Sequence, residues 1–98
     1  MNSIVLHPAA EAEMLAAARY YEVCQPGLGG RFLDEVLRAG VRITDNPAAW
    51  SVVSGSIRRC LLNHFPFGVM FRIETERIYV LAVMHLRREP NYWRSRVG

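Results

Sequence analysis

The sequence has no lysine; all twelve basic residues are arginine, set against nine acids. It has no apolar run near the ~18 residues that a transmembrane helix needs. The longest, Ile78 to Met84, has strand length. A basic region followed by an apolar stretch and a small-residue cleavage site is missing from the N-terminus, so no signal peptide and a cytoplasmic location are expected. Cysteine is scarce. Cys24 and Cys60 stand apart with no CxxC spacing, and His7, His64 and His85 are far apart in sequence. This argues against a zinc site and for two free thiols. No metal and no cofactor is expected. There is no internal repeat, low-complexity tract, Ser-His-Asp arrangement, carboxylate pair or nucleotide fingerprint. What remains is one domain of 98 residues, 51% hydrophobic and 21% charged. Folded, it should expose about 5,700 Å², enough burial for a single core without staples.

The charge is uneven. Residues 1–49 hold four arginines against six acids, a net of 4 − 6 = −2. Residues 50–98 hold eight against three, a net of 8 − 3 = +5. An arginine-only chain can reflect codon bias in a GC-rich genome. It also suits bidentate recognition of carboxylate or phosphate. The asymmetry places an acidic partner at the second half.

The pattern predicts a first strand over Ser3 to His7, then a helix opened by Pro8 with a buried stripe of Ala10, Met14, Ala17 and Tyr21. Gln25-Pro26-Gly27 breaks it. Gly27-Leu28-Gly29-Gly30 resembles a phosphate loop only superficially, lacking the GK[ST] ending and a preceding strand. It reads as the turn of a helical hairpin. A second helix runs from Leu28 or Arg31 to Thr44, with Phe32, Val36, Ala39 or Gly40, and Ile43 inward. Arg31–Glu35 and Asp34–Arg38 read as pairs on its wet side. Ala48 to Gly55 reads as a loop bearing Trp50, and Ile57 to His64 as a strand. After a turn at Phe65-Pro66-Phe67-Gly68, Val69, Phe71 and Ile73 alternate with Met70, Arg72 and Glu74, as in a half-buried strand. Ile78 to Met84, apolar throughout, reads as a central strand covered on both faces. The order β-α-α-β-β-β gives an α+β fold, a helical hairpin packed on a mainly antiparallel sheet.

Arg58, Arg59, Arg72, His85, Arg87, Arg88, Tyr92 and Trp93 are the candidate binding residues. Arg58 and Arg59 are adjacent on a strand and face opposite ways, so only one joins a given patch. Tyr92 and Trp93 beside Arg94 and Arg96 combine aromatic and cationic groups, which suits RNA or a protein hot spot. His85 has the reference pKa of a general acid or base, but a strand-end residue bonded to backbone is the favoured reading. The exposed edge strand and the Trp50 loop are candidate contacts for a homodimer or a partner. From the residues alone, the chain is a small basic α+β domain that binds something acidic.

The element order, the stretch Phe65 to Glu74 and the ending Val80 to Trp93 resemble the RelE/ParE superfamily of bacterial toxins. Tyr21-Glu22 and Gly27 to Phe32 resemble it too. The resemblance implies the toxin of a type II toxin–antitoxin module, held inactive by an acidic cognate antitoxin in a toxin–antitoxin hetero-oligomer. RelE-like members cleave mRNA on the ribosome without a metal. ParE-like members inhibit DNA gyrase and are not known as nucleases. RelE-like chains commonly place a catalytic Arg at the start of the third strand, where this sequence has Gly68, read as a turn residue. That departure favours a ParE-like gyrase inhibitor with no covalent chemistry. The alternative is a ribosome-dependent ribonuclease using Arg72, His85 and Tyr92, with Arg58 or Arg59 assisting. A third reading is a non-toxic relic that only binds antitoxin.

Overall fold

A computed structural model describes residues 3–97. β1 (Ser3–Leu6) leads into α1 (Pro8–Cys24) and α2 (Leu28–Asp45). β2 (Val52–Ser54), β3 (Ile57–Leu61), β4 (Phe67–Ile73) and β5 (Arg77–His85) follow. Single 3-10 turns lie at Pro47–Ala49 and Arg94–Arg96. The sheet order is β1-β5-β4-β3-β2, with β1 parallel to β5 and every other pair antiparallel. This is the α+β arrangement that the pattern predicts. The exposed area, 5931 Å², is close to the expected value.

Local chemistry sets the helix boundaries. The His7 ring nitrogen accepts the Ala9 N–H at 3.0 Å, and Pro8 occupies the first turn of α1. At the start of α2 the Glu22 carboxylate accepts N–H groups from Gly27 and Gly29 at 3.0–3.1 Å. An internal carboxylate thus occupies the helix start where a phosphate would sit, as the hairpin-turn reading of this segment requires. Gly29 lets the two helices approach closely: a Cβ there would lie 2.5 Å from the Ala18 carbonyl oxygen.

The sheet has two covered faces. On the helix side, Phe32 and Ile43 of α2 pack with Cys60, Val69, Phe71, Ile78 and Val80 of the sheet, and Phe65 and Phe67 lie against Tyr21 and Phe32. On the far face Ile57, Met70, Leu81, Ala82 and Met84 pack under Trp93. Trp93 is 3% exposed, and truncating such a ring costs about 3–5 kcal/mol. Cys60 is buried and Cys24 exposed, both as free thiols.

Four local readings change. The stretch read as a loop contains β2, whose Val52 pairs with Arg58 in a hairpin closed over Gly55. At three residues it is too short to show alternation. Gly68 lies within β4 rather than in the turn, because His64 takes the left-handed backbone (φ 69°) and the chain reverses before Phe67. β3 correspondingly stops at Leu61. Glu35 is buried, not on the wet side, and its nearest cation is Arg38 at 3.6 Å instead of Arg31. Its place between Phe32 and Ala39 on one helical stripe explains the burial.

Candidate functional site

β5 changes phase at a bulge. Met70 faces Ala82 while Phe71 faces Val80, so Leu81 is the extra residue. Leu81 and Ala82 therefore both pack on the far face, and Val83 returns to the helix face. β1 ends opposite Val80, which leaves the next stretch of β5 edge without a strand neighbour. Side chains take its place. Glu13 of α1 accepts the Val83 N–H at 3.1 Å, and Arg96 donates to the Leu81 carbonyl at 3.0 Å.

Glu13 is the centre of the C-terminal segment. It accepts from both Arg96 terminal nitrogens at 3.0 Å, from the Tyr92 hydroxyl at 2.7 Å and, more distantly, from Arg88 at 3.4 Å. Two guanidiniums approach the Tyr92 ring, Arg88 at 3.9 Å and Arg96 at 5.0 Å from its centroid. Burial first, then the hydrogen bond to Glu13 and its charge, push the Tyr92 phenol well above its ordinary pKa. The Glu13 bond raises Arg96 as well. A phenol in this position holds its proton. It is poorly suited to moving protons near neutral pH.

The other candidates are dispersed. Arg58 donates to the Ala48 and Trp50 carbonyls at 3.2 and 2.7 Å, holding the loop before β2. Arg59 points to the far face and is exposed, its stem covering Gly68. Arg72 is bonded to Glu74 at 2.7 Å and lies over the Tyr79 ring. Arg77 and Arg72 together hold the Glu74 carboxyl below the usual range. His85 packs against Phe67 on the helix face, and its Nδ1 accepts the Arg87 N–H at 3.0 Å. Arg87 is exposed, and Arg88 is half-exposed beside Tyr92. Trp93 is in the far-face core rather than on the surface.

The structure thus brings together Arg88 and Tyr92, with Arg96 and Glu13. It does not bring together Arg72, His85 and Tyr92. His85 pairs with Phe67 at one end of the ladder and Arg72 with Tyr79 near the other, on opposite faces. Five residues of strand separate those rungs, roughly 17 Å. Among the described residues no cluster of three His, Cys, Asp or Glu side chains could hold a metal ion.

Sequence reasoning passed over Glu13, taken only as an acid near a helix start. It also passed over Glu35, which lines a cavity of about 600 Å³ with Tyr21, Arg38, His64 and Phe65. The spacing of Glu35 within an apolar stripe was the available signal. Glu13 offered none, because its partners lie 70 to 83 positions away.

The sequence model of the family described as ParE toxin of type II toxin-antitoxin system, parDE, matches residues 4–90. The chain belongs to the ParE toxin family. A solved structure described as the chromosomal ParDE TA system from P. aeruginosa is similar in fold, with a TM-score of 0.77 at 18% identity. The likeness covers 89% of this chain and 98% of that one. No curated protein matches the chain in sequence. The ParE match stops at residue 90, so Tyr92, Trp93 and Arg96 lie beyond it.

Proposed function

We propose that this ParE-family toxin acts by binding and inhibiting DNA gyrase, and that a cognate antitoxin neutralises it. The observation that carries this reading is the dispersal of Arg72, His85 and Tyr92, with the Tyr92 phenol committed to Glu13. A nuclease needs its charge-stabilising and proton-moving groups around one scissile phosphate. An inhibitor that binds needs only an exposed surface. Arg59, Arg87 and Arg88 offer cations for it.

The antitoxin reading has support in the helical hairpin. Leu37 and Val41, one turn apart on α2, are 70% and 60% exposed, and Leu15 and Val23 of α1 are exposed too. Exposed apolar side chains on adjacent helices suit an amphipathic partner segment that folds on binding. Among the described residues no helix is long and apolar enough to cross a membrane. Gyrase and antitoxin as partners put the protein's action in the cytoplasm.

Pulse labelling after inducing the chain alone tests the proposal. Thymidine incorporation should fall before amino-acid incorporation. A first fall in amino-acid incorporation would favour the ribosome-dependent nuclease instead, and undisturbed growth would favour a relic without toxicity.

A further inference from the structure

At the far edge of the sheet, two residues that line one pocket carry donors with no acceptor among the described residues. It lies between the end of α2, the loop before β2 and β3, has a volume of about 350 Å³, and is lined by Arg42, Trp50, Arg59, Leu61 and Asn63. Its charged lining is two arginines, without an aspartate or glutamate. Arg42 reaches the Leu61 carbonyl with one terminal nitrogen at 3.4 Å, and its guanidinium lies 5.7 Å from the Trp50 ring centroid. Arg42 Nε and Trp50 Nε1 are both buried and have no acceptor among the described residues. Indole and guanidinium nitrogens only donate, so neither group can satisfy the other. Leaving two such donors unpaired side by side is unfavourable unless an acceptor comes from outside. Arg58 fixes the arrangement by holding the Ala48 and Trp50 carbonyls.

We infer that this pocket is an oxyanion site, and that it receives the carboxylate of an Asp or Glu side chain on an extended, acidic segment of a protein partner. A carboxylate supplies several lone pairs and the opposite charge in one small group. The surroundings favour a peptide over a nucleic acid. Leu61 lines the pocket and is 45% exposed, and Val52 and Val53 of β2, which follow the lining residue Ser51, are 52% and 40% exposed, an apolar stretch that suits alternating side chains. β2 is a short edge strand, open to pairing with added backbone. A phosphodiester chain would want a longer row of cations, and the neighbouring Arg58 is already bonded to carbonyls. The choice of a protein source rests on the antitoxin reading.

The two tryptophans provide the test. Trp50 reports on the pocket, and Trp93, buried against the far face of the sheet, is an internal control. The indole N–H signals of the full chain are followed by NMR during titration with acetyl-Val-Glu-Val-amide, its Gln counterpart and dimethyl phosphate. The Glu peptide should shift the Trp50 signal saturably and leave Trp93 still. The Gln peptide and dimethyl phosphate should bind at least about tenfold more weakly, as loss of a charge-assisted bond implies. Arg59→Gln, at an exposed position, should weaken the Glu peptide by a similar factor, and Arg59→Lys should restore part of it. A motionless Trp50 signal, or equal response to Glu and Gln peptides, overturns the site. Tighter binding of dimethyl phosphate overturns the protein source. The antitoxin reading fails separately, if the protein encoded beside this one does not bind it, since the titration uses no antitoxin.

Discussion

The carboxylate of Glu13 and the guanidinium of Arg96 meet at 3.0 Å, joining the first helix to the end of the chain. Their side chains are only 14% and 16% exposed, and each also binds a backbone group of β5. The pair continues the edge of the sheet where β1 has stopped. It is as much a substitute for strand as a salt bridge.

Removing one partner should therefore be more damaging than breaking a surface ion pair. Glu13→Ala leaves the Val83 N–H and the Arg96 charge without their acceptor, and should cost about 3 kcal/mol. For a domain of this size that lowers Tm by at least about 10 °C. Arg96→Ala should cost less after Glu13→Ala than alone, with a coupling of about 1–3 kcal/mol in a urea-unfolding double-mutant cycle. Additive losses would mean that the two residues do not act together.

Tyr92 gives a prediction on the alkaline side. Its folded-state pKa is raised, by burial first and then by Glu13. Below the ordinary phenol pKa of about 10 its contribution is intact. As pH rises through that value, the unfolded chain loses the proton and the folded chain keeps it. The folded state then binds more protons, and stability falls with pH. Tyr92→Phe removes this component, so its Tm should decline less steeply than the parent's above about pH 10. Identical slopes would show that the phenol is not held as described. The same substitution, combined with His85→Ala, should leave growth arrest within about tenfold of the parent if the toxin works by binding, whereas a nuclease using these groups should lose at least about a hundredfold.

The two adjacent glycines at the start of α2 should respond in opposite ways. A Cβ on Gly29 would meet the Ala18 carbonyl oxygen at 2.5 Å, while one on Gly30 meets nothing within 4 Å. Gly29→Ala should cost about 1–3 kcal/mol through forced separation of the helices. Gly30→Ala should add about 0.5–1 kcal/mol by restricting the unfolded chain. Urea unfolding of the two variants distinguishes this packing account from one in which both glycines serve a loop.

Much of the fold was legible because its signals are local. Pro8, Pro26 and the Phe32-to-Ile43 stripe mark the helices, and the unbroken run Ile78 to Met84 marks a strand covered on both sides. That run also implied a second cover, since the two helices lie on one face only. The cover is Trp93, whose neighbours Tyr92, Arg94 and Arg96 instead suggested a surface epitope. An aromatic residue flanked by arginines looks alike in either setting until its contacts are known. The bulge at Leu81 was hidden because a continuously apolar strand has no alternation to interrupt. The Glu13 cluster depends on pairings across most of the chain, which spacing alone does not encode.

Purified gyrase with this protein provides the most direct test of the central claim. Supercoiling of relaxed plasmid should stop at micromolar excess of the protein and return when the cognate antitoxin is added. Unchanged supercoiling, together with fresh cuts in mRNA on translating ribosomes, would contradict the account and make the dispersed arginine, histidine and tyrosine the place to look again.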